Sequence, residues 1–175
     1  MELDPEFGPA YRELTTTLIR AERFEEARTV IQQAVERKSG DSDYQKELAS
    51  AMATPPNVPK EDAQKAIELV NRAIELEPSE KVQCLRTLGI ANYRAGNFSE
   101  AVEALRLSIE KRSPKVNLGI DYFVLSMAYW KQGDQDQAKD VFRRGIEWTK
   151  RNQPGDPVMQ SWLDEAATLL GIDTP

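Results

Sequence analysis

Apolar residues recur with helical spacing in four segments of the chain. Within each segment they return at intervals of three, four and seven residues, which places them on one face of an amphipathic helix. Each segment also repeats one order of positions, in which an apolar residue is followed by an alanine, a second apolar residue and a small residue. These positions are Leu14, Ala27, Ile31 and Ala34; Leu48, Ala66, Val70 and Ala73; Leu88, Ala101, Leu105 and Ser108; and Leu125, Ala138, Phe142 and Gly145. The pattern predicts a chain of repeated helix pairs.

The turns inside these units carry the signals that end one helix and begin the next. Gly96 and Gly133 suit the left-handed residue that closes a helix. Asn97 with Glu100, and Asp134 with the glutamine three residues later, have the spacing of a capping box. We therefore expect a short turn inside each of the last two units.

The two last segments, LGIANYRAGNFSEAVEALRLSIE and LSMAYWKQGDQDQAKDVFRRGIE, resemble tetratricopeptide repeats. Successive units are offset by 39, 35 and 37 residues, just above the period of about 34 in that family. The resemblance extends to residues 11–36 and, with an insertion, to residues 44–78. It implies an all-α fold, a right-handed α-solenoid of helix-turn-helix units with a C-terminal capping helix.

On this basis the chain divides into an N-terminal tail, four units and a cap. The ranges are 1–7 for the tail of an incomplete preceding repeat, 8–39, 41–78, 82–112 and 119–151 for the units, and 156–171 for the capping helix. Three prolines predict a long loop at 54–60. Residues 49–170 also resemble repeat regions at the C-termini of large multidomain bacterial proteins, so we expect a module of a larger protein.

Composition excludes much chemistry. The chain has 23 basic and 29 acidic residues, a net charge of −6, no histidine and one cysteine, Cys84. Histidine-dependent catalysis, the usual zinc sites and internal disulfides are therefore excluded, and no glycine-rich phosphate-binding motif occurs. Cys84 is interpreted as a buried structural residue. We expect no enzyme activity, no metal and no cofactor.

Charge and hydropathy also restrict the partners. An acidic chain is poorly suited to nucleic acid or to anionic membranes, and no apolar run reaches the roughly 18 residues of a membrane span. The N-terminus lacks the features of a secretory signal. These observations favour a cytoplasmic protein with protein or peptide partners, present as a monomer or a weak homo-oligomer.

The family resemblance implies a binding surface on the first helix of each unit, which in many tetratricopeptide repeats faces the concave side and holds peptides. Transferring those positions gives Arg12, Thr16 and Arg20 in the first unit, Arg86, Ile90, Tyr93 and Arg94 in the third, and Phe123, Met127, Trp130 and Lys131 in the fourth. This mixture of basic and apolar residues suits a segment with acidic residues around one or two apolar anchors. The alternative is that the same residues only pack between helices.

The function predicted from the sequence is a protein–protein interaction scaffold that binds a partner segment in its concave groove. Two alternatives remain open: a small chaperone of this repeat type for a secreted or exported substrate, and a self-association module. The carboxylate clamp of some relatives is not expected, because Glu47 would repel a terminal carboxylate where that clamp needs a donor.

Overall fold

The computed structural model describes residues 13–15, 17–18, 21, 23, 26–27, 29–30, 32–33, 42–113 and 118–173. The predicted tail and the predicted site residues Arg12, Thr16 and Arg20 lie outside this part of the chain. Seven α-helices follow one another from residue 42 onward, and no strand occurs among the residues described. They are α1 (Ser42–Ala53), α2 (Lys60–Leu76), α3 (Lys81–Ala95), α4 (Phe98–Lys111), α5 (Gly119–Gln132), α6 (Gln135–Asn152) and α7 (Pro157–Leu170), with a short 3₁₀ turn at Pro78–Glu80 before α3.

The turns after α3 and α5 have the predicted glycine ends. Gly96 and Gly133 have φ angles of +86° and +88°, in the left-handed region that favours glycine. Asp134 caps α6, since its carboxylate accepts a hydrogen bond from the backbone N–H of Gln137 at 3.1 Å. The capping box predicted for Asn97 is wrong: its side chain makes no capping bond and instead donates to Oδ1 of the buried Asn92 at 3.2 Å.

The loop between α1 and α2 spans residues 54–59. The predicted loop bound of 60 is therefore one residue too long, because Lys60 begins α2. Thr54 folds back on α1, where its Oγ1 donates to the backbone carbonyl of Ser50 at 2.6 Å. Pro55 is buried. The proline-rich loop is therefore packed against the body of the protein at its first half.

The helices stack asymmetrically, and this defines two sides. The first helices of successive pairs, α1, α3 and α5, contact one another in a row. Among the described residues, the second helices α2, α4 and α6 make no contact with one another. The first helices are therefore packed more closely than the second helices, and we call the row of first helices the inner face. The structure is an α-solenoid, as predicted.

Helix α7 closes the stack in an unexpected position. Its ends are those predicted, with the Asp156 carboxylate accepting from the N–H groups of Val158 and Met159 at 2.8 and 3.0 Å, and Gly171 at φ +64°. Toward the preceding pair, α3 and α5 each pack more on its second helix than on its first. By contrast, α7 packs chiefly on α5 and less on α6. The cap therefore lies toward the inner face.

Candidate partner-binding face

Three of the predicted contact residues lie in the core. Ile90, Phe123 and Met127 are buried, and the Phe123 ring packs against that of Phe142 with centroids 5.8 Å apart. The expectation of an exposed apolar strip is thus corrected for these residues. The physical reason is that α3 and α5 each have helices on several sides, so positions counted from the turn point into packed interfaces as well as toward the inner face.

Arg86 is engaged inside the fold. Its Nε donates to Asp121 Oδ2 at 2.7 Å, while the Ser108 hydroxyl donates to Oδ1 of the same carboxylate at 2.5 Å. Asp121 is fully buried and Arg86 largely so. These bonds join α3, α4 and α5, and a buried carboxylate of this kind requires such partners. Nearby, burial and then the charge of Arg86 lower the pKa of Arg112.

Arg94 links the inner face to α7. Its Nη1 and Nη2 both donate to the Glu165 carboxylate, the second at 2.8 Å. The guanidinium carbon also lies 5.5 Å from the centroid of the Tyr93 ring and 5.0 Å from that of Trp162, within the range of cation–π attraction. The Arg94 side chain is only 7% exposed. Arg94, predicted to contact a partner, is therefore already bound by a carboxylate and an indole of its own chain.

The remaining predicted residues surround this contact. The Tyr93 hydroxyl donates to Met127 Sδ at 3.6 Å. Burial, followed by the nearby charge of Glu165, raises the pKa of Tyr93 to about 12. Trp130 is partly buried against the core, whereas Lys131 is exposed. The structure thus brings Tyr93, Arg94 and Met127 together beside α7.

A further cation of the first helices is Lys46 on α1. Its ammonium donates to Glu80 at 2.8 Å and pairs with Asp43 at 2.6 Å. Burial works to lower the pKa of Lys46, but the hydrogen bonds to Asp43 and Glu80 outweigh it and raise that pKa. Lys46, Arg86 and Arg94 are therefore all neutralised by carboxylates, which leaves the inner face less positive than its composition suggests.

Two residues that organise this face were not selected from the sequence. Asp121 and Glu165 hold the two arginines in place. A signal for Asp121 was present, because it is the single charged residue in the apolar run from Leu118 to Trp130 and a charge in such a run needs a partner. Glu165 carries no comparable signal beyond its spacing of three residues from Trp162.

The described residues contain one buried cysteine and no cluster of candidate metal ligands. Cys84 is buried and forms no disulfide. Burial raises the pKa of its thiol, which disfavours the reactive thiolate. No group of three or more candidate metal ligands occurs in the part of the chain that the structure covers. No described helix combines the length and the apolar character that crossing a bilayer requires.

Comparison with known families decides the classification. Models of the tetratricopeptide repeat match residues 60–116 and 122–152, which together make up half of the chain. The chain belongs to the tetratricopeptide repeat family. Its repeats identify it as a protein–protein interaction module, and proteins with this fold are generally scaffolds rather than enzymes.

Individual relatives agree with this assignment. The human (Homo sapiens) signal recognition particle subunit SRP72 is 32% identical over 105 residues, which cover 60% of this chain and only 15% of that relative. PilF of Pseudomonas aeruginosa superposes with a TM-score of 0.61 at 18% identity, covering 93% of this chain and 68% of PilF. A Podosopora anserina protein described as a kinesin light chain with TPR-like repeats gives a TM-score of 0.65 at 17% identity, covering 98% and 90%. These structural likenesses concern the repeat fold.

Proposed function

We propose that this repeat module is a scaffold that binds an amphipathic helix of a partner protein on its inner face, at the place where α7 lies. The observation that carries the proposal is the contact of Arg94 with α7. One guanidinium there binds a carboxylate and stacks on an aromatic ring three residues away on the same helix. A partner helix with an acidic residue one turn from an aromatic anchor has the same recognition chemistry.

Helix α7 competes with such a partner and so determines the affinity that the partner needs. It buries Met159, Trp162, Leu163 and Leu170, and each large apolar side chain contributes about 1.5–3 kcal/mol when fully buried. The undocked form of the module is consequently a minor population, and the apparent affinity for a partner falls in proportion to that population. Weakening α7 should therefore strengthen binding of a partner helix.

Assembly into a larger complex is part of the proposal. SRP72 is named as a subunit of the signal recognition particle, and this chain spans about 15% of its length. A rigid stack of helices suits such a role, because it presents a preorganised surface and the partner alone must become ordered.

A labelled peptide with the sequence of residues 156–173 tests the proposal on the full chain. We expect it to bind the variant Trp162→Ala with Glu165→Lys at least about tenfold more tightly than the unchanged chain. The reason is that this variant loses the stacking and repels Arg94, so its own α7 competes less. Circular dichroism should show that the variant loses no more helix than the 14 residues of α7.

The control is the same peptide with both substitutions in it, which should bind neither protein. Failure of the unaltered peptide to bind the helical variant would reject the inner face as a site for helices. Equal binding of the two peptides would reject the recognition chemistry proposed for Arg94.

A further inference from the structure

A second groove lies on the opposite side of α5. Helices α4 and α6 both pack on α5 but, among the described residues, not on each other. The gap between them has a volume of about 350 Å³, at the low end of the roughly 300–1,000 Å³ of ligand pockets. Tyr122, Leu125 and Tyr129 form its floor, and Arg106 and Arg144 stand on opposite walls. We call this the outer groove.

The outer groove repeats the arrangement that holds α7 on the inner face. The guanidinium carbon of Arg144 lies 5.4 Å from the centroid of the Tyr122 ring, and that of Arg94 lies 5.5 Å from Tyr93. Arg94 also donates hydrogen bonds to the Glu165 carboxylate and lies over a second aromatic ring, that of Trp162. In the outer groove no carboxylate of the described chain forms a salt bridge with Arg144.

The charges at the rim favour an acidic occupant. Arg106 and Arg144 are both exposed, and neither forms a salt bridge within the ranges that the structure describes. Glu110 also lines the groove, one turn from Arg106. It pairs with Lys111 at 2.8 Å, and this bond lowers the pKa of Glu110 more than the charge of Arg106 does. In a chain of net charge −6, two arginines facing each other across tyrosine rings form a local positive site.

We propose that the outer groove binds a short, extended acidic peptide segment with one aromatic side chain. The aromatic ring would lie on Tyr122, Leu125 and Tyr129, while flanking carboxylates pair with Arg106 and Arg144. The volume accommodates one or two side chains rather than a helix. The groove is separate from the site of α7, so it provides the module with a second attachment point.

Fluorescence anisotropy with a labelled peptide Asp-Glu-Trp-Glu-Asp, blocked at both ends, tests this on the full chain at low ionic strength. We expect saturable binding that weakens as salt is added, and no binding of the amide peptide Asn-Gln-Trp-Gln-Asn. The variant Arg106→Glu with Arg144→Glu should bind at least about tenfold more weakly. Both arginines are exposed, so the fold should be retained.

Matched variants make the outcome specific. Lys139→Glu with Arg143→Glu changes the charge by the same amount on exposed positions of α6 outside the groove, and it should change binding by no more than about twofold. Trp162→Ala with Glu165→Lys should leave binding unchanged, which separates this result from the inner-face test.

Three results would overturn the proposal. They are no binding by the unchanged chain, equal weakening by the two charge-reversal variants, and a dimer in sedimentation that Arg106→Glu with Arg144→Glu dissolves. The last result would make a second copy of the chain the occupant.

Discussion

Glu165 provides the sharpest test of how α7 is held. Replacing it by glutamine keeps the shape of the side chain and removes the charge opposite Arg94. Breaking a buried ion pair costs about 3–5 kcal/mol because the remaining charge stays buried. The cost is smaller here, since Glu165 is 28% exposed and the Arg94 guanidinium keeps cation–π contacts with two rings, each contributing about 0.5–2 kcal/mol. We expect a loss of about 2 kcal/mol.

Hydrogen exchange is the appropriate measurement. In a solenoid each unit contacts only its neighbours, so α7 can open without unfolding of the whole stack. A loss of about 2 kcal/mol corresponds to roughly thirtyfold faster exchange of the α7 amides. Exchange in α1 and α2, at the far end of the described stack, should remain unchanged.

Asp164→Asn is the matched control. Asp164 is the neighbouring acid of α7, is exposed and accepts a hydrogen bond only from Gln160 among the bonds described, at 2.8 Å. We expect this variant to alter the stability of α7 by less than about 0.5 kcal/mol. Unchanged exchange in Glu165→Gln, or equal acceleration in both variants, would refute the view that the Arg94 contact holds α7 on the inner face.

Three further predictions concern stability. Gly89→Ala should lower the unfolding free energy by about 2 kcal/mol in urea titration, because an added Cβ would lie 2.4 Å from Cγ of the fully buried Leu105; stabilisation would contradict the close packing of α3 on α4. Asp156→Ala removes both capping bonds of α7 and should cost about 1 kcal/mol, seen as faster exchange of α7 amides. The raised pKa of Tyr93, about 12 against an ordinary 10.0, means that its contribution to stability is complete below pH 10 and is lost as the pH rises toward 12. Tyr93→Phe should therefore show a shallower alkaline decline in unfolding free energy than the unchanged protein, and identical slopes would contradict this.

The helices were predictable because their signals are local. A helix end depends on a few adjacent residues, such as Asp156 and Pro157 at the start of α7 and Gly171 at its end. Apolar spacing likewise indicates which residues share one face of a helix. The failure at Asn97 was also local in origin, since its side chain had a competing partner in the buried Asn92.

The organisation of the inner face was not predictable in the same way. Arg94 and Glu165 are 71 positions apart, and their meeting depends on where α7 docks rather than on any local pattern. Along α5 the difficulty is different: the helix is apolar on nearly every side, so periodicity cannot separate residues of the open face from core residues such as Phe123 and Met127. Positions transferred from a repeat pattern identify a helix face, but they do not identify what covers it.

The inner face and the outer groove contain the same pairing of an arginine with a tyrosine ring, but only the inner pair has a carboxylate partner among the described residues. On the inner face an arginine stacked on a tyrosine is completed by Glu165 and Trp162 of the chain itself. On the outer face Arg144 stacks on Tyr122 without a salt bridge to any described carboxylate. The inner contact therefore indicates which chemistry satisfies the outer one, a carboxylate beside an aromatic ring. A partner that binds the inner face must first displace α7, and the free energy of that displacement weakens its binding. An acidic partner can bind the outer groove without displacing any described part of the chain.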